Sequence, residues 1–323
     1  MSWVAWRQQR LLLLVVTALV AVVAGVLLFY RLDALSYLDG HGLRRCMLAG
    51  GTGCPSAGTS AFDAAYGGYG GMVPFLLLAL PLLVGMFAGA PLFAREYEQE
   101  THIFALTQSI SRNRWWATKL LSSGVPVLVL TLALGLVSAW AMEPFAAISP
   151  SRLRVPGFET QGLVVGAYTL LAFAIGASAG LLIRNTLGAM AITIGGYFAL
   201  IVTVANAARP HYLASKYLLA PVERTENGPF AVGPRGVPAG SWRVRSGFLD
   251  RSGHGVVVSG PDSCFEPAHF VGCLKRNGVV STYAEYHPPS QFWSFQLIES
   301  CVVLAIVVVL LGLGAWGLHR RPY

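Results

Sequence analysis

Residues 161–207 read QGLVVGAYTLLAFAIGASAGLLIRNTLGAMAITIGGYFALIVTVANA, and the fold class follows from this stretch. Two apolar runs are parted by little more than Arg184, Asn185 and Thr186. Each has about the 20 residues that a helix needs to cross a hydrocarbon core of about 30 Å. Over such a length in lipid, a helix satisfies its own backbone hydrogen bonds where a loop does not. So short a connection joins antiparallel neighbours, and the spacing predicts a transmembrane helical hairpin.

Four further windows reach spanning length: residues 11–30, 72–94, 120–142 and 291–318. A hydrophobic fraction of 54% beside a charged fraction of 12%, where soluble chains carry about a quarter charged residues, makes lipid the solvent for most of the chain. The expected fold is an all-α integral membrane protein of six transmembrane helices. The first window follows Arg7 and Arg10, as the core of a signal peptide would. It is longer than the roughly 7 to 15 residues of such a core, and Arg31, Leu32 and Asp33 follow without a small-x-small cleavage site, so a retained span is expected.

The chain then divides into a lead-in and first span (1–30), an outer loop (31–71), the second span (72–93) and a cytoplasmic segment (94–119). The third span (120–142), an outer loop (143–160), the hairpin (161–207), an extracytoplasmic cap (208–290) and the sixth span with its tail (291–323) complete it. Basic residues set the orientation. Arg7, Arg10, Arg95, Arg112, Arg114, Lys119, Arg184, Arg320 and Arg321 fall on one side, against Arg31, Arg44, Arg45, Arg152 and Arg154 in the longer short loops opposite. Both termini are therefore expected in the cytoplasm. The formal charge of +8 is dispersed among loops; without a basic stripe it anchors helices and does not point to nucleic acid.

Within the cap, residues 227–260 are rich in Gly and Pro and end in a brief β-like run at 256–258, which predicts a small, loop-rich unit. Cys46 and Cys54 fall in the first outer loop, Cys264 and Cys273 in the cap, and Cys301 in the sixth span. Two close pairs on the oxidising side read as local disulfides, Cys46 with Cys54 and Cys264 with Cys273, although four cysteines permit three connectivities. Free thiols are the alternative. Neither pair has the Cys-x-x-Cys spacing of a zinc site.

Between the second and third spans lies AREYEQETHIFALTQSISRNRWWATK, residues 94–119. Ile103, Phe104, Leu106 and Thr107 make an apolar stripe at helical spacing, and Glu96, Glu98 and Glu100 cluster with Arg95 where acidic groups suit a helix N-terminus. An amphipathic helix along the inner membrane surface fits this pattern. Here the chain resembles the permease subunits of type-2 ABC exporters, and especially an actinobacterial variant. In that family the loop reads approximately Arg-Glu-x-Glu-x-Gly-Thr, then Pro-x-Ser-Arg, then Gly-Lys. Arg95, Glu96, Glu98 and Thr101 match its first part, and Ser111, Arg112 and Lys119 its second. Glu100, Ser109 and Thr118 depart from it.

The resemblance implies that these seven residues form a coupling helix docked on a nucleotide-binding subunit. It implies a P-loop ATP-binding partner that carries ATP and Mg, and a second permease, more often an identical copy. The implied activity is efflux of a hydrophobic or amphipathic substrate such as an antibiotic, peptide or lipid-like molecule. Trp3, Trp6, Arg7 and Arg10 are similar to the family's interfacial lead-in helix, and read equally as an ordinary interface anchor.

No Gly-x-x-x-x-Gly-Lys-Ser/Thr loop occurs in the sequence, so the chain is not expected to be an enzyme and its energy is expected to come from a partner. An intramembrane enzyme would need a nucleophile, base or metal ligand at membrane depth, and the histidines fall in loops or at span ends. An ion-coupled transporter would need ionisable groups inside spans. Glu299 is the one such acid, flanked by Gln296 and Ser300, with Thr193, Thr203 and Asn206 in the fifth span. These six are the candidates for a substrate path. The plainer readings are a Glu299 paired with a basic side chain and hydroxyls that bond helix to helix.

Overall fold

The computed structural model describes residues 2–49, 51, 53–100, 111–148, 151–222, 236–257 and 270–320, with side chains from residue 9 onward except at Gly70. Thr101, the stripe at Ile103, Phe104, Leu106 and Thr107, and Ser109, Cys264 and Arg321 lie outside the described residues, as do the side chains of Trp3, Trp6 and Arg7.

Among the described residues, six helical stretches are long and apolar enough to cross a membrane: Gln9–Gly40, Ser56–Glu98, Arg112–Ala141, Val164–Ile183, Thr186–His211 and Pro289–Arg320. In chain order the α-helices are α1 (Ser2–Gly40), α2 (Arg44–Leu48), α3 (Ser56–Val84), α4 (Pro91–Glu98), α5 (Arg112–Ala141), α6 (Val164–Ile183), α7 (Thr186–Thr203), α8 (Phe270–Arg276) and α9 (Phe292–Arg320). Several run past the apolar windows. α1 continues beyond Tyr30 to Gly40, and α3 starts at Ser56, well before residue 72. Hydropathy registers only the part of a helix that sits in hydrocarbon. The extensions are held instead by rings: Tyr37, Phe62, Tyr66, Tyr69 and Phe145 pack together, and the Tyr66 hydroxyl donates to Asp33 at 2.7 Å. A Cys46–Cys54 disulfide closes the connection between them.

α6 is the axis of the bundle. Of its most apolar window 94% is buried, against 28% for the α7 span and for the α9 span, and it packs on α3, α4, α5, α7 and α9. Its small residues explain this, because backbones approach closely only where side chains are short. A Cβ placed on Gly176 would stand 2.5 Å from the Gly85 carbonyl oxygen, and one on Gly85 would stand 2.7 Å from the Ala172 backbone. At this contact the second span widens into a π-turn, Gly85–Gly89, with Ala90 N bonded to Gly85 O at 2.9 Å. Pro91 follows it and has no N–H to continue the ladder. α6 ends at Arg184 in the left-handed region (φ 59°), and Asn185 caps α7 by accepting from Gly188 N at 2.7 Å.

Between α7 and α9 the described residues form a four-stranded antiparallel sheet in the order β1 (Lys216–Pro221), β4 (Ser281–His287), β2 (Trp242–Leu249), β3 (Gly255–Val256). The loop-rich expectation for this region passed over β1, β2 and β4. A strand's partner can lie far along the chain, as Lys216 pairs with Tyr286, and local composition does not carry that pairing. The excursion leaves and returns at one place. A His287 ring nitrogen lies 3.3 Å from Pro210 O, and Gln291 Nε2 donates to Ala214 O at 3.4 Å.

Candidate functional site

Charged side chains gather at the two ends of the bundle. At the sheet end, the fifth span closes in a π-turn (Val204–Ala208) and a 3-10 turn (Arg209–His211), which carries Arg209 inward. Arg209 is 1% exposed, Glu159 1% and Glu299 0%. Arg209 grips Glu299 in a fork, Nε to Oε2 at 2.8 Å and Nη2 to Oε1 at 2.7 Å, and reaches Glu159 Oε1 at 2.5 Å. Its guanidinium also lies 4.1 Å from the centre of the Phe158 ring. The Tyr168 hydroxyl donates to Glu299 Oε1 at 2.8 Å.

One guanidinium faces two carboxylates. Burial pushes the Glu159 carboxyl upward, and the neighbouring Arg209 pulls it back only in part. One turn before Glu299, Gln296 accepts from Val164 N at 3.0 Å and donates to Phe158 O at 3.2 Å. It thereby satisfies one of the N–H groups that the start of α6 leaves open. Glu299 and Gln296 thus fasten α9 to α6, to the end of the fifth span and to the 153–163 loop.

The plainer reading of Glu299, paired with a basic group, is what the structure holds. Ser300 is 8% exposed, and its hydroxyl has no partner among the described residues. The other candidates stand apart from the cluster. Thr193, Thr203 and Asn206 each bond four residues back along their own helix, to Ala189, Ala199 and Val202, and among the described residues do not join helix to helix. Sequence reasoning missed Arg209, Glu159 and Tyr168. The available signal was that Glu299 needs a countercharge at its own depth, and that Arg209 directly abuts an apolar span.

At the opposite end, Arg95, Glu96 and Glu98 lie in the last turns of α4, not at the start of a separate helix. Glu100, at φ 56°, follows where that helix has ended. The acids serve neighbouring elements. Glu96 forms an ion pair with Lys119 of α5, which is 7% exposed and whose Nζ lies 5.3 Å from the Trp115 ring centre. Glu98 accepts from Thr186 N and from the Thr186 hydroxyl, both at 2.8 Å, at the N-terminus of α7. The attraction of acids to a helix N-terminus therefore operates, but on the next hairpin. Arg184 stacks 4.7 Å over Tyr97.

Ser111 caps α5 by accepting from Arg114 N at 3.4 Å. Arg112 donates to Leu318 O at 3.4 Å, and a His319 ring nitrogen lies 2.8 Å from Asn113 Oδ1, which ties α5 to the end of α9. Arg95 is exposed. Cys273 is disulfide-bonded and Cys301 is free and exposed.

A family model described as ABC-2 membrane transporter related matches residues 17–209, more than half of the chain. The match runs from within the first span to Arg209 near the end of the fifth, so the sheet and α9 lie beyond it. No curated protein and no solved structure matches the chain. With six apolar helices and this match, the chain belongs to the ABC-2 membrane transporter related family, as a multi-pass permease component in the plasma membrane.

Proposed function

We propose that the chain is the export permease of an ATP-driven system, working with a separate P-loop subunit that binds ATP and Mg. Two copies of the permease would form the path, with both termini in the cytoplasm and the sheet outside. The cargo would be hydrophobic or amphipathic: an antibiotic, a peptide or a lipid-like molecule. Family membership supports the ATP-binding partner.

The observation that carries the reading is the pair of bonds made by the end of α4, Glu96 to Lys119 and Glu98 to Thr186. Through them a push on the connection between α4 and α5 reaches the second, third and fifth spans together. Arg112 extends the link to the sixth. In this role Arg95, Glu96, Glu98, Thr101, Ser111, Arg112 and Lys119 form the coupling surface. The second span would bend at the Gly85–Gly89 turn against α6, and the Arg209–Glu299 fork would hold the sheet end shut until α7 and α9 separate. Packed elements with two arrangements convert a small displacement into such a transition.

The test is purification of the tagged chain in mild detergent from cells that retain its neighbouring genes, followed by an ATPase assay. A stoichiometric P-loop ATPase whose hydrolysis responds to the Glu96→Gln, Arg112→Gln double variant is expected. Absence of an ATPase, or hydrolysis and transport both unchanged in the double variant, would overturn the assignment.

A further inference from the structure

A pocket of about 270 Å³ opens at the sheet end, between α3 and the chain from Met142 to Gln161. Its walls are apolar, with Pro74, Phe75, Met142 and Pro156 among them, yet Arg152 and Arg154 also line it. Arg152 is held in place: its Nε donates to Gln161 Oε1 at 2.9 Å and its guanidinium lies 4.3 Å from the centre of the Phe292 ring. Neither arginine forms an ion pair among the described residues. Glu143, which is near enough to act on the Arg152 charge, bonds Arg31 at 3.3 Å. Arg154 is exposed and makes no side-chain bond to the described residues.

The depth of the pocket is set by its helix. Gly71, Pro74 and Phe75 straddle the junction between the polar start of α3 and its apolar window. Phe75 and Leu76 are 63% and 60% exposed, and Trp140, two residues before the lining Met142, is 49% exposed, as in the aromatic belt of a membrane–water interface. The volume falls just below the roughly 300 to 1,000 Å³ of pockets that take whole drug-sized ligands, so it suits the polar head of a longer amphiphile. Two guanidinium side chains lining one pocket favour phosphate, which such groups meet through charge-assisted and often two-pronged hydrogen bonds.

We propose that this pocket binds the phosphate headgroup of an anionic phospholipid from the adjoining leaflet, with its acyl chains lying along the exposed flank of α3. The site is separate from the coupling surface and does not depend on the direction of transport.

The test uses the full chain reconstituted in nanodiscs with phosphatidylglycerol or phosphatidylcholine, with retained lipid counted by native mass spectrometry. Arg154→Gln removes charge without breaking a side-chain bond to the described residues. Gly71→Leu fills the pocket from a position where an added Cβ meets nothing within 4 Å, and Gly68→Leu, equally open, is the control. Retention of phosphatidylglycerol over phosphatidylcholine by about tenfold is expected, given the strength of hydrogen bonds to charged groups. Arg154→Gln and Gly71→Leu should abolish that preference and Gly68→Leu should keep it. Equal retention of the two lipids, or an unchanged preference in both test variants, would overturn the proposal. So would displacement of the lipid by glycerol 3-phosphate at equal concentration, which would mark a site for free anions.

Discussion

Glu98 and Thr186 join the end of one span to the beginning of another, with both carboxylate oxygens engaged at 2.8 Å by the amide and hydroxyl of a single residue. An acid at the C-terminal end of its own helix is poorly placed, and this one is stabilised by the N-terminus of its neighbour. In Glu98→Ala, transport per ATP hydrolysed should fall several-fold with only a small drop in melting temperature, and Glu98→Gln, which can still accept from the amide, should recover part of it. Transport and hydrolysis assays on reconstituted protein check this; full coupling in the alanine variant would contradict it.

The Glu96–Lys119 pair is testable by exchange. Removing one member of a buried pair costs about 3 to 5 kcal/mol, and Glu96→Lys or Lys119→Glu also sets a like charge beside the one that remains, so each should melt much earlier than the parent. The double exchange should recover about 0.5 to 3 kcal/mol of interaction energy. Thermal unfolding in detergent, run as a double-mutant cycle, gives the number.

For the cluster at the sheet end, Arg209→Met strands two carboxylates and should destabilise by about 3 to 5 kcal/mol, while Glu159→Gln should cost about 1 kcal/mol or less. The folded protein holds the Glu159 proton more tightly than the unfolded chain. Stability should therefore fall as pH rises from the ordinary carboxylate range through the raised value, and Glu159→Gln should flatten that fall. Melting curves across pH in both proteins distinguish the outcomes.

Gly85→Ala places a methyl group against the Ala172 backbone, whereas Gly195→Ala meets nothing within 4 Å. The first should lower folded yield and melting temperature. The second should be neutral or gain about 0.5 to 1 kcal/mol from the helix preference of alanine. Fluorescence-detected size exclusion with a thermal ramp measures both.

If the sheet end faces outward, as proposed, a membrane-impermeant thiol reagent applied to intact cells should label Cys46 and Cys54 only after reduction. Labelling without reductant, or none after it, would argue against the disulfide or the orientation.

The six spans were legible because each carries its own record, an unbroken apolar run long enough for lipid. So was the family, from Arg95, Glu96 and Glu98 through Ser111, Arg112 and Lys119, and so was the Cys46–Cys54 bond, whose partners are near in sequence. What failed to show was whatever depends on residues distant along the chain. The sheet needs Lys216 beside Tyr286. The buried cluster needs Arg209, which by sequence falls in the 208–290 cap, to turn back toward Glu299. Hydropathy also understates α1 and α3, whose extensions are held by aromatic contacts and not by lipid.

The excursion between Pro210 and His287 begins and ends at a single point, clasped there by the bonds from His287 and Gln291. A segment with adjacent ends is a cassette. It can be lengthened, shortened or exchanged between proteins without shifting the helices that flank it, and it lies beyond Arg209, where the family match stops. A change confined to the cassette is therefore expected to leave the packing of the six spans as it is.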